Sequence, residues 1–349
     1  MVGRKNNFDI IRFFAATLVI YSHAFPLTGF DKSEPLKEFS KNQTTFGHLG
    51  VLIFFVISGF LITQSFDRNK NVSLFIKARI LRIFPALIVV VLLSVFVLGS
   101  FVTTLSIKEY FTNSETYIYL KSILLYTMQY DIPGVFTTNP YPIAINGSLW
   151  TLPIEFLFYF IILFIGIINL LNKRFMVIIF VLSLLLPFLG FSVGEDYIDL
   201  FRYFVAGSIF YLYRERISIN WIIAMISFST IVLSLVYGHF NTVFALFGSY
   251  LIFYIAYHPR IAFHSFSKIG DASYGLYIFA FPIQQLITYL FNGEISPLSN
   301  FAISFPIVLV MSYCSWHLIE NPMLKFKKVK SSELVTIKVG PFLREKISK

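Results

Sequence analysis

The stretch FDIIRFFAATLVIYSHAF, from Phe8 to Phe25, is apolar and long enough to cross a membrane as one helix, yet it carries Asp9, Arg12 and His23. At about 1.5 Å and 100° per residue, the 11 positions from Arg12 to His23 put these side chains roughly 16 Å apart and near one helix face. An ionisable group inside a membrane helix is costly and marks a candidate functional site. Spacing alone leaves two readings open. Either Arg12 pairs with Asp9 three residues earlier while His23 sits wet at the far interface, or both serve a site running through a helix bundle.

The whole chain shares this character. Of 349 residues, 56% are apolar and 13% charged, against roughly 25% charged in a soluble domain. It reads as an all-α polytopic membrane protein whose first partner is the lipid bilayer. The net charge of +10 lies in short basic clusters between apolar runs and in the tail, a pattern of membrane topology and not of nucleic-acid binding. One cysteine, Cys314, excludes an intramolecular disulfide framework. Forty-two Phe and 20 Tyr fit lipid-facing bulk and interfacial belts. Arg4 and Lys5 precede the first run, but no small-residue cleavage site follows it, so it reads as a retained span.

Apolar runs predict ten transmembrane helices, near residues 8–27, 48–66, 80–101, 154–171, 175–193, 197–213, 220–237, 240–257, 272–292 and 298–319. Segments after the even-numbered runs are basic, with Arg68 and Lys70, Lys173 and Arg174, Arg214 and Arg216, Arg260 and Lys268, and the Lys325 to Lys330 cluster. Segments after the fifth, seventh and ninth, SVGEDYID, GHFN and NGEISPLSN, hold no Lys or Arg. This asymmetry places both termini in the cytoplasm. The first outer loop, 28–47, is mixed, with three lysines beside Asp31, Glu34 and Glu38. In the long outer segment 102–153, YIYLKSILLYTMQY is too short to span and suits an interfacial or re-entrant helix. A faint echo links Asp9-Ile-Ile-Arg12-Phe13-Phe14 to Asp199-Leu-Phe-Arg202-Tyr203-Phe204, as an inverted repeat would.

Depth suggests which groups can meet. With the amino end inside, Arg12 lies in the inner half of the first span and His23, about 22 Å along, in the outer half. The fourth span runs the other way, so Glu155 also begins in the outer half. A histidine, with an unperturbed pKa of about 6.5, is the usual base for a hydroxyl nucleophile, and a carboxylate can orient its second nitrogen. The alternative is that Glu155 pairs with a structural arginine or faces water.

Lys77, Arg79 and Arg82 cluster at the inner mouth of the third span, and the two arginines, three apart, share a face suited to phosphates. Basic residues at such a mouth are equally explained by topology. Ser58 and Gly59 interrupt an apolar run and read first as a close-packing point. Tyr274 and Tyr277 read as an interfacial belt, and Gln284 and Gln285 as cavity lining or interhelical glue. No metal-ligand spacing, phosphate loop, dinucleotide fingerprint or nucleophile elbow appears.

Taken in order, Asp9-x-x-Arg12-x10-His23, Phe54-Phe55-Val56-Ile57-Ser58-Gly59-Phe60, Arg79-x-x-Arg82-Ile83-x-Pro85, Ser148-Leu149-Trp150-x4-Glu155, Ser273-Tyr274-x-x-Tyr277 and Glu320-Asn321-Pro322 resemble the acyltransferase-3 family. The resemblance covers about residues 5–325. It implies a ten-span transmembrane domain over 1–324, a basic cytoplasmic tail over 325–349, and residence in the bacterial inner membrane. The implied activity is transfer of an acyl group, usually acetyl from cytoplasmic acetyl-CoA, to a sugar hydroxyl of a lipid-linked glycan, O-antigen or exopolysaccharide. Acyl-CoA is then a co-substrate, with no tightly bound cofactor and no metal.

By the same resemblance, Arg12 and His23 carry essential roles and Arg79 and Arg82, with Lys77 beside them, serve the donor. Ser148, Trp150 and Glu155 belong to the site, with Ser58, Tyr274 and Tyr277 along the acceptor path or channel. The short chain resembles the O-acetyltransferases without a fused extracytoplasmic esterase-like domain. A pantetheine arm threading the bundle would bring the thioester to His23 for direct attack by the sugar hydroxyl, with an acyl-enzyme on Ser148 or His23 as the alternative. The competing class is a transporter or flippase, since many carriers also point polar groups into a ten-span bundle.

Overall fold

A computed structural model describes residues 6–142, 144–186, 195–261, 263 and 266–328. The regular structure of these residues is all-helical. The runs that dominate it are α1 (Phe8–Leu27), α2 (Phe46–Asn69), α3 (Val72–Val102), α4 (Gly147–Ile167), α5 (Lys173–Leu185), α6 (Glu195–Leu212), α7 (Trp221–Tyr237), α8 (Phe240–Tyr257), α9 (Ser273–Leu290) and α10 (Pro297–Lys325). Of these, α1, α2, α3, α4, α8 and α10 are long and apolar enough to cross a membrane. The chain is a polytopic membrane protein. Outward-facing Val97, Phe164, Ile226 and Val310 are exposed, the apolar exterior that hydrocarbon covers. Most of the basic tail, 329–349, and residues 187–194, which include the end of the fifth apolar run, lie outside the described residues.

Short polar side chains begin the helices where the sequence supplies them. Thr45 accepts from the His48 amide to cap α2, Asn71 from Leu74 to cap α3, and Ser296 from Ser299 to cap α10 ahead of Pro297. Asn7 anchors the start of α1 against the end of α8, donating from its backbone to Ala256 and from its side chain to Ile255 and Ile261.

Helix α2 is the centre of the bundle, packed between α1 and α6. A Cβ on Gly50 would lie 2.5 Å from the Ala15 carbonyl oxygen, and one on Gly59 only 1.8 Å from that of Phe204. Gly207 returns the contact against Val56 at 1.9 Å. The backbones touch because neither helix has a side chain there. Gly59 is therefore the packing point expected, while its neighbour Ser58 turns to polar partners.

Between α3 and α4 the long segment forms two short helices, neither long enough to span, the first an α-helix over Ile107–Thr112. Residues Ser114–Leu124 make a 3₁₀ helix, and the following chain folds back among the helices. Asn139 donates to the Gln285 carbonyl and side chain, Gln285 donates to the carbonyls of Tyr141 and Ala144, and Asn146 donates to that of Ile278. Gln285 thus ties a loop to α9, whereas Gln284 bonds Ile20 and Asn300 and is interhelical glue. Asp199 and Arg202 pair on α6 as Asp9 and Arg12 do on α1.

Replacing Gly59 by alanine is expected to force α2 and α6 apart, at a cost of about 1–3 kcal/mol or more. Thermal unfolding of the detergent-solubilised protein measures it, and an unchanged midpoint would contradict the close approach.

Candidate active site

Helices α1, α2, α3, α4 and α9 enclose a cavity of about 840 Å³, counting its open mouth. Three guanidinium groups reach it, from Arg12, Arg79 and Arg82. Two of them are tied down. Arg12 pairs with Asp9 and, at 3.2 Å, with Asp271; Arg82 pairs with the same Asp271 oxygen at 2.7 Å and with Glu320 at 3.3 Å. Asp271 also accepts from the Ser273 hydroxyl, and Glu320 from Ser315. Glu320 closes a widened π turn, Trp316–Glu320, that also brings the Trp316 ring to 5.7 Å from Arg82.

Arg79 is different. It has no carboxylate within 4 Å among the described residues. It lies against the Phe75 and Tyr159 rings and makes one long hydrogen bond to Ser65 at 3.5 Å, and its Nε has no partner. In the same wall Glu155 accepts from Ser58 at 2.7 Å and from Tyr159 at 2.5 Å. The cavity thus offers one uncommitted planar cation, suited to a phosphate or carboxylate.

A second cavity, of about 650 Å³ with its open part, holds His23, His48, Trp150, Asp31 and Glu34. Val51 and Tyr277 line both cavities, and the Tyr277 hydroxyl is 2.6 Å from that of Thr151. Tyr277 thus stands in the partition. The His23 ring packs edge-on to Phe281 at 5.2 Å, and its Nδ1 has no protein partner.

The sequence-predicted residues divide between these places. Arg12, Arg79, Arg82, Ser58, Glu155, Tyr274 and Tyr277 meet in the cationic cavity, and His23 and Trp150 in the other. Lys77 and Ser148 line neither; Ser148 is 1% exposed with an unpartnered hydroxyl. The expected hydrogen bond between His23 and Glu155 is not formed. The Asn146 bond to α9 draws the Gly147–Trp150 turn into the bundle, so α4 begins deep and Glu155 falls beside Ser58 and Tyr159. Nor do Tyr274 and Tyr277 form a lipid-facing belt, since Tyr274 donates to the Ile83 carbonyl and both face the cavity.

Asp271, Tyr159 and His48 were not singled out by sequence reasoning, and Glu320 only as part of a motif. Tyr159 had a signal, lying four residues after Glu155 on the same helix face. Asp271, two residues before Ser273, reads from sequence as an ordinary loop acid.

Residues 5–318 match the acyltransferase domain family. The chain belongs to the acyltransferase-3 family. It is 30% identical over 351 residues to the O-acetyl transferase of Shigella phage Sf6, covering 94% of this chain and 99% of that protein. Nodulation protein 10 of Rhizobium leguminosarum bv. viciae is 36% identical over 167 residues, 45% of this chain and 43% of its own. O-acetyltransferase OatA of Staphylococcus aureus is 26% identical over 345 residues, 85% of this chain and 56% of its own. No solved structure matches. This acyltransferase is an O-acetyltransferase, so the carrier reading falls away.

Exchanging Asp271 for asparagine leaves two largely buried guanidinium groups short of their shared anion. A loss of about 3–5 kcal/mol in stability is expected. A thermal midpoint equal to the parent's would show that the shared carboxylate carries no weight.

Proposed function

We propose that this acyltransferase moves an acetyl group from cytoplasmic acetyl-CoA to a hydroxyl of a lipid-linked or exported carbohydrate, such as an O-antigen, capsule or exopolysaccharide. It would do so from a bacterial inner membrane, on ten spans with both termini in the cytoplasm. The observation that carries the reading is the pair of cavities, one cationic and one holding His23, with Val51 and Tyr277 in the wall of both.

The cationic cavity lies beside the basic ends of α2 and α3, the side that charge asymmetry assigns to the cytoplasm. Arg79 receives a CoA phosphate there, while Arg12 and Arg82, already neutralised, shape the wall. The acyl arm passes Tyr277 to reach the histidine cavity. His23 takes the proton of the sugar hydroxyl, whose oxygen bonds to the acetyl carbonyl carbon. The carbon–sulfur bond then breaks, and the imidazolium returns its proton to the leaving thiolate. Direct transfer is favoured over an acyl-serine because Ser148 lines neither cavity. Glu155, held by Ser58 and Tyr159, acts on the donor side and does not orient the base.

His23→Ala is expected to lower turnover by about 10²–10⁴ with the acetyl-CoA KM unchanged. Full turnover in that variant, assayed with radiolabelled acetyl-CoA, would remove His23 from the mechanism. Arg79→Gln is expected to raise the acetyl-CoA KM roughly tenfold or more while acceptor KM holds. Equal donor affinity in parent and variant would count against the phosphate assignment.

A further inference from the structure

The histidine cavity has polar groups that the proton transfer does not use. Glu34 is committed, its two oxygens accepting from the backbone amides of Lys37 at 2.6 Å and Phe46 at 2.7 Å. It builds the entrance to α2 and has little capacity left for a ligand. Asp31, at the rim, shares its carboxylate with Lys37 at 2.5 Å. His48 is the second imidazole of the cavity, and its placement is built. It sits in the first turn of α2, with its amide on the Thr45 cap at 2.9 Å. Its Nδ1 is 3.0 Å from the hydroxyl of Thr44, a residue 4% exposed whose backbone amide donates to the Ser40 hydroxyl and whose carbonyl accepts from it. Nε2 of His48 has no hydrogen-bond partner among the described residues. Trp150 adds a large amphipathic ring to the same wall.

We propose that this cavity is the acceptor subsite, in which a sugar ring lies against Trp150 and His48 selects the hydroxyl pattern by hydrogen-bonding one of its oxygens. The inference rests on His23 being the base of the transfer, since that choice puts the reacting hydroxyl in this cavity. A sugar presents an apolar C–H face and a rim of hydroxyls, which an indole and a fixed imidazole meet together. Nδ1 and the Thr44 hydroxyl share one hydrogen bond whose direction follows the tautomer, so Nε2 is the nitrogen left to bond a sugar hydroxyl, as donor in one tautomer and acceptor in the other. A site built to hydrogen-bond a particular hydroxyl rejects the sugar that lacks it, because the buried partner is then left unpaired. The Asp31–Lys37 pair at the rim supplies further acceptors and donors for hydroxyls that do not react.

The test uses the full chain in detergent, radiolabelled acetyl-CoA, and the lipid-linked and surface glycan fraction of the source cells stripped of O-acetyl groups by mild base. His48→Phe keeps a ring but loses both nitrogens, and acceptor KM is expected to rise roughly 3- to 10-fold with acetyl-CoA KM unchanged. His48→Gln is expected to recover at least half of that loss, and Trp150→Ala to raise acceptor KM without moving the donor constant. Unchanged acceptor KM in both His48→Phe and Trp150→Ala would overturn the subsite. A fall in thermal midpoint with both KM values moving together would also overturn it, by making His48 merely structural. His23→Ala run alongside separates the two levels: normal turnover there defeats the transfer mechanism, whereas loss of turnover there with unmoved acceptor constants defeats only the subsite.

Discussion

A single carboxylate, Asp271, holds two guanidinium groups from different helices, Arg12 on α1 and Arg82 on α3. Bringing two cations together in a low-dielectric bundle is unfavourable unless an anion lies between them. Asp271 stands two residues before α9, and Glu320 on α10 gives Arg82 a second carboxylate, so one network joins four helices at one end of the protein. Everything in the cationic cavity depends on that junction. Arg79 stands outside that junction, against the Phe75 and Tyr159 rings.

A second constraint works from the opposite side. The segment leading into α4 cannot leave its backbone groups unsatisfied inside the bundle, and Asn139, Gln285 and Asn146 supply the partners. With those bonds made, the Gly147–Trp150 turn enters the bundle, placing Trp150 in one cavity and Glu155 in the other. Gly147 makes this possible, because a Cβ there would lie 2.7 Å from the Phe281 ring that also packs on His23. The loop is therefore part of the site and sets the depth of α4.

Between the two constraints lies the partition at Tyr277. Its bond to Thr151 links α9 to the first turns of α4, the same two elements that the loop fastens together. Under the proposed mechanism, a donor and an acceptor that approach from opposite faces need a protected meeting place and little else in common. Two cavities with one shared wall meet that need, and the division of charge between them, guanidinium on one side and imidazole on the other, follows from the antiparallel run of α1 against α2.

The sequence by itself determined the helical membrane character of the chain, the position of most helices, and the two-ended nature of α1. These depend on local composition and on a periodicity that survives any packing. The ordered motifs also carried the family, and with it the charged and tyrosine lining of the cationic cavity apart from Tyr159, but only His23, Trp150 and Tyr277 of the other. What only the tertiary structure decided is which charges meet. Arg79 and Arg82 are indistinguishable as neighbours in sequence, yet one is neutralised by Asp271 and Glu320, from 189 and 238 positions away, and the other is not. Glu155 looked like a partner for His23 because span limits alone set its depth, and the buried turn before α4 moved it to the other cavity. Burial, pairing and partner choice are properties of contacts between distant segments, and no local pattern encodes them.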